Sequence, residues 1–391
     1  MRSLWLPSLL ACALFLAGCG AAAGLRPESP GVTQGYRIAV LPVDNLSGSG
    51  QGVARELRAS LMAHLADEGV ELLGDDALEQ FMTRHRLRYV GGVDQPTSQA
   101  LMEETGSNAV LVTNLETYQD VDPPRIALYC RLVSTGPKPQ IIWMDGISLT
   151  GDQSPGVLDL GLVHDHRELR DMVLGRLVGS LVEQLSRGGG PPDKGAPRKF
   201  RPRIYFDASY LSSAKRYSIG VLPFINLSER NNAGELVALQ AVRQLASRTQ
   251  FDVLEPGLIR EKLLSSRIIM NEGISKLDLD ILSNSLGTDL MLAGKVNQYQ
   301  DANAAAAVPR VEFSTLLLEG MGKKIVWSST SYNQGDDTVY FFEVGRAYTA
   351  QETTERMMRA MLGRMKWGEE APEEAPSPDE IRIEKFRAPS Q

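Results

Sequence analysis

The sequence predicts an α/β protein built from two tandem copies of one three-layer-like domain, each with a mixed sheet and the element order βαβααβββα. Three observations carry that expectation. YRIAVLPVDNLS (36–47) returns as YSIGVLPFINLS (217–228), with eight of twelve residues identical at an offset of 181 (217 − 36), which marks a duplication. The same offset lays GSNAVLVTNLETY (106–118) on GTDLMLAGKVNQY (287–299). In both halves, strand-length apolar runs alternate with stretches of helical period.

The elements follow in order. Tyr36 to Val43 is an apolar strand that ends at Pro42, whose missing N–H stops ladder pairing. Val53, Leu57, Leu61 and Leu65 recur at spacing four and predict a helix over 53–67. Val70 to Gly74 is a short strand, Asp76 can cap a helix running to about His85, and Gln95 to Thr105 is a further short helix. Ala109 to Tyr118, Ile126 to Ser134 and Gln140 to Leu149 are three strands parted by Pro/Gly turns, an antiparallel meander. A closing helix over 167–185 carries Leu169, Val173, Leu177, Leu181 and Leu185 on one stripe. In the second copy IVWSSTS matches IIWMDGIS through Trp327 and Trp143, and FEVG matches LDLG through Gly345 and Gly161, both at an offset of 184. About three residues are therefore gained across the strands. The matched positions are mostly apolar, Gly, Pro and Asn, the residues that cores and turns require.

The ends of the chain give an address. Arg2 precedes an apolar span from Leu4 to Phe15 and then Leu16-Ala17-Gly18-Cys19. That is a secretory signal, shorter than the ~20 residues of a membrane span. It resembles the bacterial lipoprotein signal, which implies a diacylglycerol thioether on Cys19, an acylated (palmitate-type) amino terminus and, with Gly20 rather than Asp after the cysteine, sorting to the outer membrane facing the periplasm. The alternative is an ordinary signal with a chance cysteine. The expected organisation is a signal peptide at 1–18, a flexible Gly/Ala/Pro tether at 19–35, a first domain at 36–187, a linker at 188–215 opening with three glycines and two prolines, a second domain at 216–367, and an acidic Pro-rich tail at 368–391. Within the linker, Arg203 to Ala208 can add a strand.

Composition excludes several functions. The net charge of −7, from 41 Lys and Arg against 48 Asp and Glu, argues against a nucleic-acid partner. One basic run, Arg198 to Arg203, fits a solvated connector or a contact with anionic lipid headgroups. With Cys12 removed and Cys19 acylated, Cys130 is the remaining cysteine, so no internal disulfide can form. Its setting in IALYCRLV makes it a small buried residue.

Candidate chemistry is sparse. His164-Asp165-His166 with Glu168 could hold a metal if extended, but the duplicated position reads Tyr348-Thr349-Ala350, which favours a helix-entry loop over a metal site. Gly48-Ser49-Gly50-Gln51-Gly52 precedes a helix, where N–H groups can cradle phosphate, yet it lacks the Lys-Ser/Thr of a P-loop and is replaced by Glu229-Arg230-Asn231-Asn232 in the second copy. His64 and His85 stand in no catalytic pattern, and GxSxG, HExxH and CxxC are absent from the sequence. No enzymatic activity and no cofactor are expected. The sequons Asn45-Leu46-Ser47 and Asn226-Leu227-Ser228 read as turns whose side chains bond nearby backbone.

The strand, the VLPF-x-N-L-S turn (221–228), the helix and the later Trp-bearing hairpin together resemble the domain shared by CsgG-type lipoproteins of curli secretion and the amino-terminal domain of TolB. Lipoprotein activators of peptidoglycan synthases are similar too. The resemblance covers about 150 residues of each half. It implies a periplasmic, non-enzymatic role in envelope assembly or export through binding of envelope proteins, with the membrane reached through lipidated Cys19. Membrane-spanning hairpins need strands of ~9 to 11 residues beyond those of the sheet, and every strand here already belongs to a sheet. An adaptor or accessory factor is therefore expected first; a subunit of a CsgG-like secretion pore or ring, and a small-ligand or metal-binding module, are the alternatives. An oligomer is compatible with either of the first two. Tyr36, Val40, Pro42, Asn45 and Ser47, with Tyr217, Val221, Pro223, Asn226 and Ser228, are expected to be structural. Function is expected where the copies differ: the loops after Ser47 and Ser228, the segment around His164, and the face between the domains.

Overall fold

The computed structural model describes residues 35–153, 161–187, 200–208, 211–270, 273–302, 308–320, 324–339 and 345–368. The signal segment with Cys19, nearly all of the tether, much of the linker, most of the matched LDLG and FEVG segments and the tail after Gly368 lie outside the described residues.

The first domain runs β1 (Arg37–Val40), β2 (Asp44–Asn45), α1 (Gln51–Asp67), β3 (Glu71–Leu72), α2 (Asp75–Arg84), α3 (Gln95–Thr105), β4 (Ala109–Gln119), β5 (Arg125–Ser134), β6 (Ile141–Thr150) and α4 (His166–Arg187). Its sheet has the order β3-β1-β4-β5-β6, with β2 on β4. β1 is parallel to β3 and β4, and β4, β5 and β6 are antiparallel. The second domain runs β7 (Arg203–Asp207), β8 (Tyr217–Val221), β9 (Ile225–Asn226), α5 (Ala233–Ala246), β10 (Phe251–Val253), α6 (Pro256–Ser265), α7 (Lys276–Leu286), β11 (Leu290–Gln300), β12 (Arg310–Glu319), β13 (Ile325–Gln334) and α8 (Ala350–Leu362). Its sheet repeats the order as β10-β8-β11-β12-β13 and adds β7 antiparallel on β13.

The fold is thus mixed α/β with two mixed sheets, in the expected element order apart from two additions. One is β7. The other is a two-residue strand in each half at the Asn of the repeated motif: Asp44 and Asn45 pair with Asn114 and Leu115, and Ile225 and Asn226 with Lys295 and Val296. Pro42 and Pro223 break the ladder only locally, because the long neighbouring strand continues past them and accepts the chain again.

The two sheets share their irregularities. β4–β5 slips between Leu115 and Thr117, and β11–β12 between Val296 and Gln298, at the common offset of 181 (296 − 115). β5–β6 slips between Leu132 and Val133, and β12–β13 between Leu317 and Leu318. The pair Tyr129–Gly146 corresponds to Ser314–Thr330, which places β12 at 185 (314 − 129) and β13 at 184 (330 − 146). Four residues are therefore inserted between β4 and β5, and one is lost before β6. Bulges at equivalent positions re-aim side chains equivalently.

Each face of each sheet is covered differently. Leu57, Leu61 and Leu65 of α1 and Leu169, Val173, Leu177 and Leu181 of α4 bury against Ile38, Val40, Leu128 and Trp143. α2 and α3 cover the opposite face near β1, where Leu78, Phe81 and Leu101 meet Ala39, Leu41 and Val110. Helix α3 is closed as its sequence demands: Asp94 accepts from the Thr97 N–H at 2.8 Å, and Gly106 takes φ +69°. Helix α2 starts differently from expectation. Its N-cap is Gly74, without a side-chain bond, and Asp75 and Asp76 occupy the first turn, where carboxylates meet the positive end of the helix dipole.

The rest of that second face, over β4 to β6, is covered by α5 and α8 of the second domain. Tyr129 and Met144 of the first sheet belong to the same core as Leu236, Val237, Met357 and Met361. The layers are therefore α1/α4, first sheet, α5/α8, second sheet. On the outer side of the second sheet α6 and α7 cover only the end around Leu222 and Met291, and strand β12 alternates buried with part-exposed residues, the pattern of a sheet with one wetted face. Phe200 and Leu211, in the stretch read as linker, are buried in the second core. No helix among the described residues is long and apolar enough to cross a membrane.

Candidate functional site

The face between the two domains holds the protein's buried charges. Arg131 on β5 and Glu255 before α6 are both fully buried. The Arg131 Nε donates to Glu255 Oε2 at 2.9 Å and Nη2 to Oε1 at 2.8 Å, a bidentate pair. The remaining guanidinium donors reach Asn114 Oδ1 at 2.9 Å and the Gly91 carbonyl at 2.6 Å, and the Val93 N–H donates to Glu255 Oε1 at 3.3 Å. The carboxylates of Asp44 and Glu235 flank this pair, and burial raises the pKa of both.

A second polar cluster lies toward the ends of β4 and β11. Glu116 is fully buried; it accepts from Tyr299 Oη at 2.5 Å, and its pKa is pushed up to about 8, chiefly by burial and then by the nearby Asp301 carboxylate. Asp301 is raised as well, by burial, although it accepts from the Ala350 N–H at 2.7 Å. Arg230 donates across the gap to the carbonyls of Glu116 at 2.6 Å and Leu46 at 3.3 Å. A third group centres on Arg243 of α5, which bonds Asp145 of β6 at 2.7 Å and Glu355 of α8 at 2.9 Å. Thr349 Oγ1 meets Ser148 Oγ at 2.7 Å, and Gln351 Nε2 donates to the Leu128 carbonyl at 3.2 Å.

Backbone contact completes the joint. A Cβ on Gly257 would stand 2.3 Å from the Val93 nitrogen, and one on Gly92 would stand 2.9 Å from the Gly257 nitrogen. Only glycine allows such an approach. A Cβ on Gly146 would stand 2.6 Å from the ring of Tyr129.

Both copies of the repeated turn open onto one groove of about 820 Å³, lined among others by Ser47, Tyr118, Leu227, Ser228, Glu229 and Asp301. The turns themselves are alike. Asn45 Nδ2 donates to the Ser49 carbonyl and Asn226 Nδ2 to the Arg230 carbonyl, both at 2.7 Å. Each Asn Oδ1 accepts from the N–H two residues on, at Ser47 (3.2 Å) and Ser228 (3.0 Å). Pro42 and Pro223 follow the buried ends of β1 and β8 at Val40 and Val221. Tyr217 is buried and its hydroxyl accepts from the Ser212 N–H at 2.9 Å; Tyr36 packs partly buried on the first core. The glycine-rich run before α1 forms a turn, with Gly48 at φ +77° and Gly50 as N-cap.

The histidines are dispersed. His164 Nδ1 lies 2.8 Å from Asp122 Oδ1, while the His166 ring sits edge-on to Tyr118 at 6.1 Å. Among the described residues no group of three His, Cys, Asp or Glu is arranged to hold a metal. His64 Nδ1 lies 2.9 Å from the Ser60 carbonyl, and His85 Nε2 lies 2.6 Å from Glu104. Cys130 is fully buried beside Thr113, and burial pushes its thiol up to about 12, far from a nucleophilic range.

Sequence reasoning singled out the face between the domains but not its principal residues. A signal was present: Arg131 in IALYCRLV and Glu116 in NLETY are charges inside apolar strands, which require partners when buried. Their partners lie 124 (255 − 131) and 183 (299 − 116) positions away, and nothing local to either strand names them.

No family model and no curated protein matches the chain. Solved structures resemble it weakly. The PelC dodecamer from Paraburkholderia phytofirmans is 15% identical, covering 42% of this chain and 98% of its own at a TM-score of 0.30. Lipoprotein GNA1162 from Neisseria meningitidis is 20% identical over 39% and 97%, at 0.27. The LpoB C-terminal domain from Salmonella enterica is 12% identical over 32% and 87%, at 0.23. Each is matched over less than half of this chain, and GNA1162 is by name a lipoprotein.

Proposed function

We propose that this chain is an outer-membrane lipoprotein, anchored through Cys19 and facing the periplasm, that acts without catalysis as an adaptor or accessory factor in envelope assembly or export. Its partners are envelope proteins. The observation that carries this is the joint itself: polar groups that differ between the copies, the buried Arg131, Glu116 and Glu255 and the half-buried Arg243, bond the domains to each other. What they make is a joined pair of domains that acts through its surfaces. The lipoprotein-type start at Leu16 to Cys19 and the repeated VLP-x-x-N-L-S turn support the address and the class.

Crosslinking and pull-down from intact envelopes test it. A defined set of envelope proteins is expected with wild type, and Cys19→Ala should shift the chain out of the membrane fraction. A protein recovered alone and diffusely soluble overturns the reading.

One observation favours a ring as the second reading. The domains pack head to tail, sheet of one on helices of the other, and such a contact repeated between chains closes rings or grows filaments. Against it stand exposed Arg55, Glu56, Arg167 and Glu168 on the outer α1/α4 face that would have to be buried. Electron microscopy of detergent-extracted material separates the two: rings would establish the second reading, monomers the first.

A further inference from the structure

In an open α/β sheet, ligands bind outside the carboxyl ends of strands where successive connections leave to opposite faces. This chain has two such crevices. In the first domain, β1 leads into α1 on the face of Ile38 and Val40, and β3 leads into α2 on the face of Ala39 and Leu41. In the second, β8 and β10 stand in the same relation.

The second crevice is covered from within the chain at the start of α6, while its far end, at Leu264 and Ile269, is exposed. Residues 89–93 of the first domain lie over the start of α6. Tyr89 takes the Arg260 guanidinium on its ring at 4.0 Å, Gly92 and Val93 press backbone to backbone on Gly257, and Glu255 is held by Arg131. The first crevice is open. It is a groove of about 660 Å³ whose floor is Pro42, Leu78, Met82 and Leu87. Arg58 on its wall is engaged by Asp75 at 2.6 Å and by the Val40 carbonyl. Arg86 and Arg88 on its rim are exposed and have no carboxylate partner among the described residues. Glu79 lies on the other lip.

The two grooves are equivalent by position. Leu78 and Ile259, Met82 and Leu263, and Arg86 and Arg267 are each 181 apart, and both arginines have positive φ, +51° and +54°. Where the second crevice presents Arg260 and the exposed Ile269, the first presents Glu79 and Arg88. An extended segment therefore fits this place on the fold, and the first copy differs by a second rim arginine, Arg88, where the other copy has Ile269.

We propose that the open crevice of the first domain binds an extended, acidic segment of a partner protein, with apolar side chains on Leu78, Met82 and Leu87 and a carboxylate on Arg86 and Arg88. The inference rests on the adaptor reading and names the kind of partner. Apolar side chains provide the affinity of such grooves, and the rim charges set the sign that is accepted.

The test uses the full chain in intact cells, with a benzophenone photo-crosslinker in place of exposed Thr83 on the groove wall and the adduct mapped by mass spectrometry. The expected adduct is a partner peptide containing Asp or Glu beside apolar residues. Its yield should fall about tenfold in R86E/R88E and persist in R86K/R88K. Both variants are confined to exposed side chains, and an unchanged melting temperature confirms that they fold. Adducts to lipid, adducts to a peptide without carboxylates, adducts indifferent to charge reversal, or no adduct at position 83 overturn the proposal. If general crosslinking still captures envelope partners while position 83 does not, the crevice fails and the adaptor reading stands. If neither captures any, both fail.

Discussion

The helix pairs α1/α4 and α5/α8 occupy equivalent places on equivalent sheets, yet they are different objects. α1 buries four of its seventeen residues, Ala54, Leu57, Leu61 and Leu65, in one stripe. α5 buries eleven of fourteen, all round its circumference. A helix apolar on every side is one enclosed on every side, and α5 is enclosed because the first sheet lies on its back. The sheets answer in kind. Beneath α5 and α8 the first carries Tyr129, Arg131 and Gly146 where the second carries Ser314, Leu316 and Thr330. The duplicated domain has one scaffold and two surface designs, and the chain's internal joint is where those designs meet.

The largest effect is expected at Arg131 and Glu255. Removing one partner leaves the other buried and uncompensated, so R131A or E255A should lower stability by about 3–5 kcal/mol. The counterpart substitution L316A, on the half-exposed face of the second sheet, should cost far less. Urea unfolding of the soluble mature chain measures both. Splitting of a single transition into two for R131A would show that the pair couples the domains. A loss for E255A within 0.5 kcal/mol of zero would sink the claim that the pair matters to the joint.

Glu116 gives a pH dependence with a definite sign. Its folded-state pKa of about 8 stands above the ordinary 4.5, so between those values the folded chain holds a proton that the unfolded chain has released. Stability contributed by this group is fully present below pH 4.5 and is lost as pH rises through 8. The amount is on the order of 2–4 kcal/mol. E116Q keeps the acceptor for the Tyr299 hydroxyl and cannot ionise. It should flatten the fall in melting temperature between pH 5 and pH 8 and be the more stable protein at pH 8. The exposed counterpart, Asn297→Asp (297 − 116 = 181), should leave the profile unchanged. Equal slopes for wild type and E116Q would refute the assignment.

Gly257 tests the backbone contact alone. Its φ lies outside the left-handed region, so alanine is conformationally allowed there, and the cost comes from the Val93 backbone at 2.3–2.5 Å. G257A should destabilise by about 1–3 kcal/mol, since well-packed backbone has to move. Its counterpart at offset 181 is Asp76, exposed in the first turn of α2, and D76A should fall within about 0.5 kcal/mol of wild type. Thermal melts of the pair suffice.

What the sequence made legible divides along the same line. Positions shared by the copies were readable because they serve local ends: Pro42 and Pro223 end strands, Asn45 and Asn226 close turns, Leu57, Leu61 and Leu65 mark a stripe. The enclosure of α5 was also written in AGELVALQAVRQLA, whose apolar residues are not confined to one face. The pairings across the joint were not readable, because Arg131 and Glu255 are brought together by the packing of one domain on another, which no periodicity records. The short β2 and β9 are hidden for a related reason: a proline marks where pairing stops, whereas the length of the neighbouring strand decides whether pairing resumes.

The smallest effect is also the most discriminating. Gln240 lies at the centre of α5, fully buried, and neither its Nε2 nor its Oε1 has a hydrogen-bond partner among the described residues. Such a group carries its desolvation cost with nothing to offset it, so Q240L should stabilise the protein by about 1 kcal/mol. The same residue introduced at its counterpart on α1, A59L at offset 181 (240 − 59), goes to an exposed position and should change stability by less than about 0.5 kcal/mol. The contrast isolates enclosure from helix propensity, because both substitutions place leucine in the middle of a helix. Urea midpoints at constant m-value would measure it. A destabilised Q240L would mean that the layer between the first sheet and α5 is hydrated, and the enclosure of α5 would then be polar rather than dry.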